Sequence, residues 1–371
     1  MSERILAINP GSTSTKIAYY EGEEQIFLEN IAHPRAELEE FETILSQLDY
    51  RLKTVLDALE KHGVDPAKLD IVVGRGGMFP PVKAGGYVVN EAMRRMIYTA
   101  NIPQHASNLG GLIAHDIARL AGVKGYIYDA TSVDEFPPIA KITGIPEVER
   151  QSFCHVLNSK AVARMYAESI GKEYEDLNLV VAHLGGGISM STHKGGKMVD
   201  SQSDDAGSFA PERAGSIPSV YVIDLCYSGE YNRAQMKKKI RGMGGLRAHL
   251  GTTDCREVER RIREGDEHAK LVYDAMIYQI AKGITLSFPA LEGKIDAILL
   301  TGGVSYSDYV CEGVKKYVGA FAPVVRFPGE YEMEALAAGG RRILEGEPTH
   351  EMYEEEKTFV LPKSFLERSY L

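Results

Sequence analysis

The segment Asn9 to Lys16, N-P-G-S-T-S-T-K, constrains this chain more than any other stretch. Apolar runs flank it, Ile5-Leu6-Ala7-Ile8 before and Ile17-Ala18-Tyr19-Tyr20 after, so a β-hairpin opens the fold. The turn itself holds almost nothing apolar. Gly11 lets the backbone come close to a ligand, the hydroxyls of Ser12 and Ser14 and the amide N–H groups can donate, and Lys16 supplies a cation. Such a turn suits a polyphosphate, although a plain polar hairpin tip has the same composition. It is not the G-x-x-x-x-G-K-[ST] nucleotide loop, because the glycine spacing differs and a strand follows instead of a helix.

At 371 residues and 44% hydrophobic, the chain can bury one or two cores, and two domains are expected. A net charge of −10 argues against a nucleic-acid or anionic-membrane partner. An anionic ligand must then be drawn by local arginines, lysines and magnesium. Cys154, Cys226, Cys255 and Cys311 stand far apart, without a C-x-x-C pair or a histidine at zinc-ligand spacing. That pattern predicts reduced thiols and a cytoplasmic address. No signal-peptide pattern opens the chain and no apolar run is long enough to cross a bilayer, so no membrane partner is expected.

The apolar spacing from Leu38 to Leu59 predicts one long helix stopped by Gly63. A strand over Asp70 to Val73 then runs into Gly74-Arg75-Gly76-Gly77. Helices are expected over Asn90 to Ala100 and Leu109 to Ala121, with His105 in the loop between them. The strand Gly125 to Tyr128 ends on Asp129, at the carboxyl end where open α/β sheets place their ligand crevice. A second region begins near Ser152. There a strand over Leu179 to Ala182 leads into His183-Leu184-Gly185-Gly186-Gly187-Ile188-Ser189, and Met190 to Asp200 returns across Gly195-Gly196. This hairpin echoes Arg4 to Phe27 and suggests a duplication. Asp266 to Phe288 reads as a long helix with Leu271, Ala275, Tyr278 and Ala281 on one side. A third glycine turn, Thr301-Gly302-Gly303-Val304-Ser305, follows the strand Ile295 to Leu300.

Three such turns in order resemble the acetate and sugar kinase, heat-shock-protein-70 and actin superfamily. Within it the chain resembles the acetokinase family of carboxylate kinases over nearly its whole length, closest to its butyrate and branched-chain fatty-acid kinases. I-N-P-G-S-T-S-T-K matches that family's N-x-G-S-S-S-x-K. H-L-G-G-G-I-S resembles H-L-G-N-G-A-S, with Gly186 in place of asparagine, and T-G-G-V-S resembles the adenosine turn. The resemblance implies an α/β fold of two duplicated actin-like ATPase (ribonuclease H-like) domains with a central cleft. The expected division is 1–150 and 151–344, with the tail 345–371 packing on the first domain.

By the same resemblance, Arg75 and Arg213 (in A-P-E-R-A-G-S-I-P) fall on the two catalytic arginines and His155 (in Q-S-F-C-H) on the catalytic histidine. Asp129, in D-A-T-S, joins them as a catalytic residue that orients an arginine or a magnesium-bound water. Asn9, Ser12, Ser14, Lys16, His183, Gly185, Gly186, Gly187, Gly302 and Gly303 fall on positions that hold ATP or ADP. Asn9, Asp129 and Glu330 fall near the Mg²⁺ site, with Glu332 an equally close alternative to Glu330. His105 resembles a histidine near the acyl site. The partners implied are a short-chain carboxylic acid or acyl phosphate and further copies of the chain, a homo-oligomer built from dimers.

The chemistry implied is transfer of the γ-phosphoryl of ATP to a carboxylate, reversibly. A short-chain acid ionises at about pH 4 to 5, like a Glu side chain, so no general base is needed. Two arginines and Mg²⁺ answer the real difficulty, which is bringing an anion against a polyphosphate. In acetate kinases a phenylalanine precedes the catalytic histidine; here Cys154 does. A thiol in place of a ring predicts a wider acyl pocket for butyrate or isobutyrate, each added methylene contributing about 0.8 kcal/mol. The alternatives are an acetate or propionate kinase, or a non-kinase nucleotide-binding member of the superfamily. Arg75 and Arg213 argue against the latter.

Overall fold

β1 (Arg4–Pro10) and β2 (Ser14–Glu21) form the expected opening hairpin, in which Asn9 and Lys16 are direct cross-strand partners. The computed structural model describes residues 2–99 and 102–353. They pack as two units, one of described residues up to 134 together with 331–353, the other of Glu135–Glu330.

In the first unit, β3 (Glu24–Ala32), β4 (Ile71–Arg75), β5 (Gly86–Val88) and β6 (Gly125–Tyr128) complete a sheet of order β3-β2-β1-β4-β6-β5. β1, β4 and β6 run parallel, and β2, β3 and β5 antiparallel to their neighbours. Leu6, Ile8 and Val72 share a core with the helices Leu48–Lys61 and Asn108–Leu120. Ile5, Ile71 and Val73 face the other way, against Gly340 of the helix Glu332–Leu344. Burial on both faces is why these strands read as continuous apolar runs. A Cβ on Gly74 would lie 2.1 Å from the Gly110 carbonyl oxygen. Two facing glycines thus seat helix Asn108–Leu120 directly on the backbone of β4, which fixes where Arg75 leaves the strand.

The second unit repeats the pattern. β7 (Asn178–Leu184), β8 (Ile188–Lys194), β9 (Lys197–Gln202), β10 (Ala297–Gly302) and β11 (Val324–Pro328) form a sheet of order β11-β10-β7-β8-β9. β9, β8 and β7 are antiparallel, and β7, β10 and β11 parallel. Strand for strand this is β6-β4-β1-β2-β3. The duplication suggested by the two glycine hairpins is present in the topology.

Several expectations are corrected. The division falls at Asp134/Glu135, not near residue 150, and the helix Glu332–Leu344 packs with the first unit, not the second. Gly339 and Gly340 let that helix lie on Tyr128, Ile5 and Val73, covering a sheet face that would otherwise be wet. Of the tail, His350 bonds to β5 and Met352 is buried in the first core; residues 354–371 lie outside the described residues. The helix expected from Leu38 starts at Leu48. Ahead of it Thr43 and Ser46 bond each other's backbone N–H groups at 3.1 Å, a local alternative to helix. On the helix Glu267–Leu286, Leu271 and Tyr278 are exposed. The buried stripe is Val272, Met276, Ile280 and Ile284, because apolar residues surround this helix and periodicity alone offers two stripes. Among the described residues no helix is long and apolar enough to cross a membrane.

Candidate active site

At the carboxyl edge of the first sheet, the ends of β1 and β4 deliver Asn9 and Arg75. The helix Glu332–Leu344 brings Glu332 to them from its first turn. Asn9 Nδ2 donates to Glu332 Oε2 at 2.6 Å, and Arg75 Nη1 donates to the same oxygen at 3.1 Å and to Asn9 Oδ1 at 3.3 Å. Asn9 and Glu332 are almost fully buried, whereas the Arg75 side chain keeps 22% of its surface. Of the two glutamates, Glu332 is the one that meets Asn9 and Arg75, whereas Glu330 lies exposed after β11 in the other unit. Asp129 follows β6 with φ +40°, a left-handed conformation costly for a non-glycine residue, and its carboxylate accepts the Gly85 N–H at 2.9 Å. His105 Nδ1 lies 2.8 Å from Ser107 Oγ and also accepts the Ser107 N–H at 3.2 Å. Ser12 is exposed at the tip of the opening turn, and the Gly11 N–H donates to the Ser14 carbonyl at 2.7 Å. Lys16 sits across from Asn9.

The second sheet carries the other group. His183, near the end of β7, faces Ser189 across the β7–β8 hairpin, whose turn is Gly185-Gly186-Gly187. The His155 and His183 rings stack at 3.8 Å, and His155 Nδ1 lies 2.9 Å from Ser189 Oγ. Asn158, fully buried one turn along the helix Val156–Ser169, donates to His183 Nδ1 at 3.0 Å and to Thr301 Oγ1 at 3.2 Å. With the amide as donor, the ring proton of His183 rests on Nε2, the nitrogen facing Gly185. Gly302 has φ +88°, and a Cβ there would lie 2.4 Å from the Leu184 carbonyl oxygen, so the third glycine turn is seated on the second hairpin. Gly303 follows on the outside of that turn, with open space around its Cα.

Arg213 is anchored by its Nε to Asp204 at 3.0 Å. Arg241 shares that carboxylate at 2.9 Å, and Asp204 lies against Gly187 of the hairpin. Among the described residues the Nη2 group of Arg213 makes no hydrogen bond. Cys154, the residue expected to widen an acyl pocket, lies in the second unit. It is buried against Met198 Sδ at 3.3 Å, and burial pushes its pKa up to about 12. Phe153 instead lies beneath the Arg241 guanidinium, 6.0 Å away.

Asn158, Ser189, Asp204, Arg241 and Arg51 were missed from the sequence. Arg51 had a signal: it stands four residues before Val55 and shares the buried face of the helix Leu48–Lys61. Asp204 had none, since only the folded loop brings it to Arg213.

Among the described residues no cluster of three His, Cys, Asp or Glu side chains could hold a metal ion. The pair that does meet, Asn9 and Glu332, offers one amide oxygen and one carboxylate. That donor set fits Mg²⁺, which keeps most of its waters and is otherwise held by substrate phosphates.

Butyrate kinase 1 of Clostridium acetobutylicum is 44% identical over 352 residues, covering 94% of this chain and 99% of that protein. Butyrate kinase 2 of the same organism is 44% identical over 355 residues, covering 95% and 100%. The crystal structure of Porphyromonas gingivalis acetate kinase superposes with a TM-score of 0.75 at 20% identity, covering 92% of this chain and all of that one, a likeness of fold. Residues 144–321 match the Acetokinase family. The topology, the two glycine hairpins and the near full-length identity agree: the chain belongs to the acetokinase family.

Proposed function

We propose that this chain is a butyrate kinase, transferring the γ-phosphoryl of ATP to the carboxylate of butyrate or a similar short-chain acid, and running equally in reverse. The observation that carries this is the Asn9–Arg75–Glu332 cluster at a polyphosphate-type turn. It supplies an arginine for an anionic acceptor, and a carboxylic acid ionised at neutral pH needs no general base. Among the described residues only Nη1 of the Arg75 guanidinium is engaged, so Nη2 and Nε remain to hold a carboxylate. Arg213, anchored through Nε, would direct Nη2 at the equatorial oxygens of the transferring phosphoryl. His155, oriented by Ser189 and by the His183 ring, would donate to one of those oxygens. Ser12, Ser14, Lys16 and the glycines of the second hairpin would cradle the phosphates, and the Gly302-Gly303 turn the adenosine. Asn9 and Glu332 would hold Mg²⁺, with Asp129 a further candidate; the ion supplies charge neutralisation to the phosphates.

The homo-oligomer is proposed with a second copy of this chain covering the helix Ser219–Tyr227. None of its residues is buried, and Val220, Tyr221, Ile223 and Tyr227 are exposed on it. Light scattering of the wild type and of Tyr221→Glu would test this. The unpaired state of all four cysteines supports a reducing, cytoplasmic address.

The deciding experiment traps acyl phosphate with hydroxylamine from MgATP and a panel running from acetate to valerate, with isobutyrate included. A maximum at butyrate is expected. A maximum at acetate or propionate would keep the mechanism and reject the substrate. No product with any acid, despite ATP binding, would reject the kinase.

A further inference from the structure

We propose that Arg51 is a positioning residue of the opening turn, a buried cation that holds the turn's carbonyls inward and lends its uncompensated charge to the polyphosphate bound outside. Its side chain is fully buried under the turn, on the core face of the helix Leu48–Lys61. Nη1 donates to the carbonyl oxygens of Gly11 at 2.9 Å and Ser14 at 3.1 Å, and to Thr15 Oγ1 at 3.2 Å. Nη2 donates to the Ser12 carbonyl at 3.2 Å, and Nε to Gln47 Oε1 at 3.0 Å. Every one of these acceptors is neutral.

Buried arginines are ordinarily paired with a carboxylate, because an isolated charge in a low-dielectric interior is expensive. Among the described residues the surroundings supply dipoles in place of an anion. His33, 2.8 Å from Thr15 Oγ1, adds no negative charge, and the nearby acid Glu37 is engaged by Tyr50 at 2.7 Å. Burial lowers the Arg51 pKa to about 10, which leaves the group charged at neutral pH.

Two consequences follow from the geometry. In a trans peptide the N–H points opposite to the C=O, so drawing the Gly11 and Ser12 carbonyls toward Arg51 turns the Ser12 and Thr13 N–H groups outward, as an anion site requires. The missing counter-anion is then supplied by the ligand. A polyphosphate on the outer side of the turn compensates the buried charge, and the benefit grows with the ligand's own charge. A carboxylate beside Arg51 would hold the turn equally well and cancel that attraction.

This rests on the turn being the phosphate site, so the experiment carries a control on that point. Binding of AMP, ADP and ATP is measured by calorimetry on full-length Arg51→Met, Arg51→Lys and Lys16→Ala proteins, alongside KM for the acid. Arg51→Met is expected to weaken ATP and ADP by about tenfold or more, with AMP nearly unchanged, because the interaction scales with charge. KM for the acid should stay put, and Arg51→Lys should recover most of the loss. Folded Arg51→Met with wild-type ATP affinity, or with AMP and ATP weakened in parallel, overturns the proposal. Should Arg51→Met not fold, Gln47→Leu decides. It frees only Nε, so an ATP-selective loss of about threefold is expected, and unchanged binding overturns it. If Lys16→Ala also binds ATP like the wild type, the phosphate-turn reading fails as well. If Lys16→Ala alone weakens binding, only the role of Arg51 fails.

Discussion

The two sheets share one topology and end in different chemistry. In the first, the paired positions at the hairpin mouth are Asn9 and Lys16; in the second they are His183 and Ser189. The parallel strand beside each hairpin ends on Arg75 in one unit and on Gly302 in the other. The first turn is backed by a buried cation bonded, among the described residues, only to neutral groups. The second is backed by a chain of contacts from His155 and His183 through Asn158 to Thr301. The two units thus share a backbone topology and differ in the side chains that it carries at corresponding positions. One edge became an amide, arginine and carboxylate set suited to charge, the other an imidazole and glycine set suited to close approach.

The sharpest way to break this contrast is to remove each edge's arginine. Arg213→Ala should lower kcat by about 10³ to 10⁵ with little change in KM for the acid, whereas Arg75→Ala should lower kcat comparably and also raise that KM. Identical signatures would erase the proposed division of labour. Next in size, Glu332→Gln should cost about 10- to 100-fold in activity and raise the Mg²⁺ requirement, while Glu330→Gln leaves both unchanged. The reverse pattern in a magnesium titration would restore Glu330. Asn158→Ala leaves His183 and Thr301 without their shared donor, and should cost about 1–3 kcal/mol in a denaturant midpoint series as well as reducing kcat. Cys154→Phe should destabilise by about 1–3 kcal/mol through overpacking against Met198 and leave the butyrate-to-acetate ratio unchanged. A shift toward acetate would revive the thiol as a pocket residue.

The smallest effect concerns a feature the two units share. Burial, with nearby cations, holds His33 in the first unit down to about 4 and His193 in the second down to about 3. Unfolding lets each bind a proton near the ordinary value of about 6.5, so their contribution is complete above that pH and lost progressively as pH falls below it. His193, bonded to Tyr174 at 2.6 Å and to Ser191 at 2.8 Å, sees Lys160 and Arg164 as nearby charges. His193→Gln should flatten the fall of Tm between about pH 6.5 and 4, and an unaltered slope would show that other groups govern acid unfolding.

Much of the site was legible in the sequence because it resides in turns. The Gly11 turn, the Gly185 to Gly187 turn and the Gly302 turn announce themselves through glycine and hydroxyl residues between apolar strands, and those signals are local. Arg75 and Asp129 were readable for the same reason, as polar residues at the ends of short apolar runs. Choosing between Glu330 and Glu332 was not possible two residues apart; only the docking of the last helix on the first sheet brings Glu332 to Asn9.

Local chemistry determined the strands, the three turns and most helices, because backbone conformation answers to neighbours along the chain. Tertiary structure decided what needed partners distant in sequence. It set which stripe of the helix Glu267–Leu286 is buried and which unit claims the last helix. It buried Cys154 against Met198, and among the described residues it left Arg51 bonded to no acid. Burial and charge pairing are settled by what stands opposite a side chain, and that is fixed only when the sheets and helices close on one another.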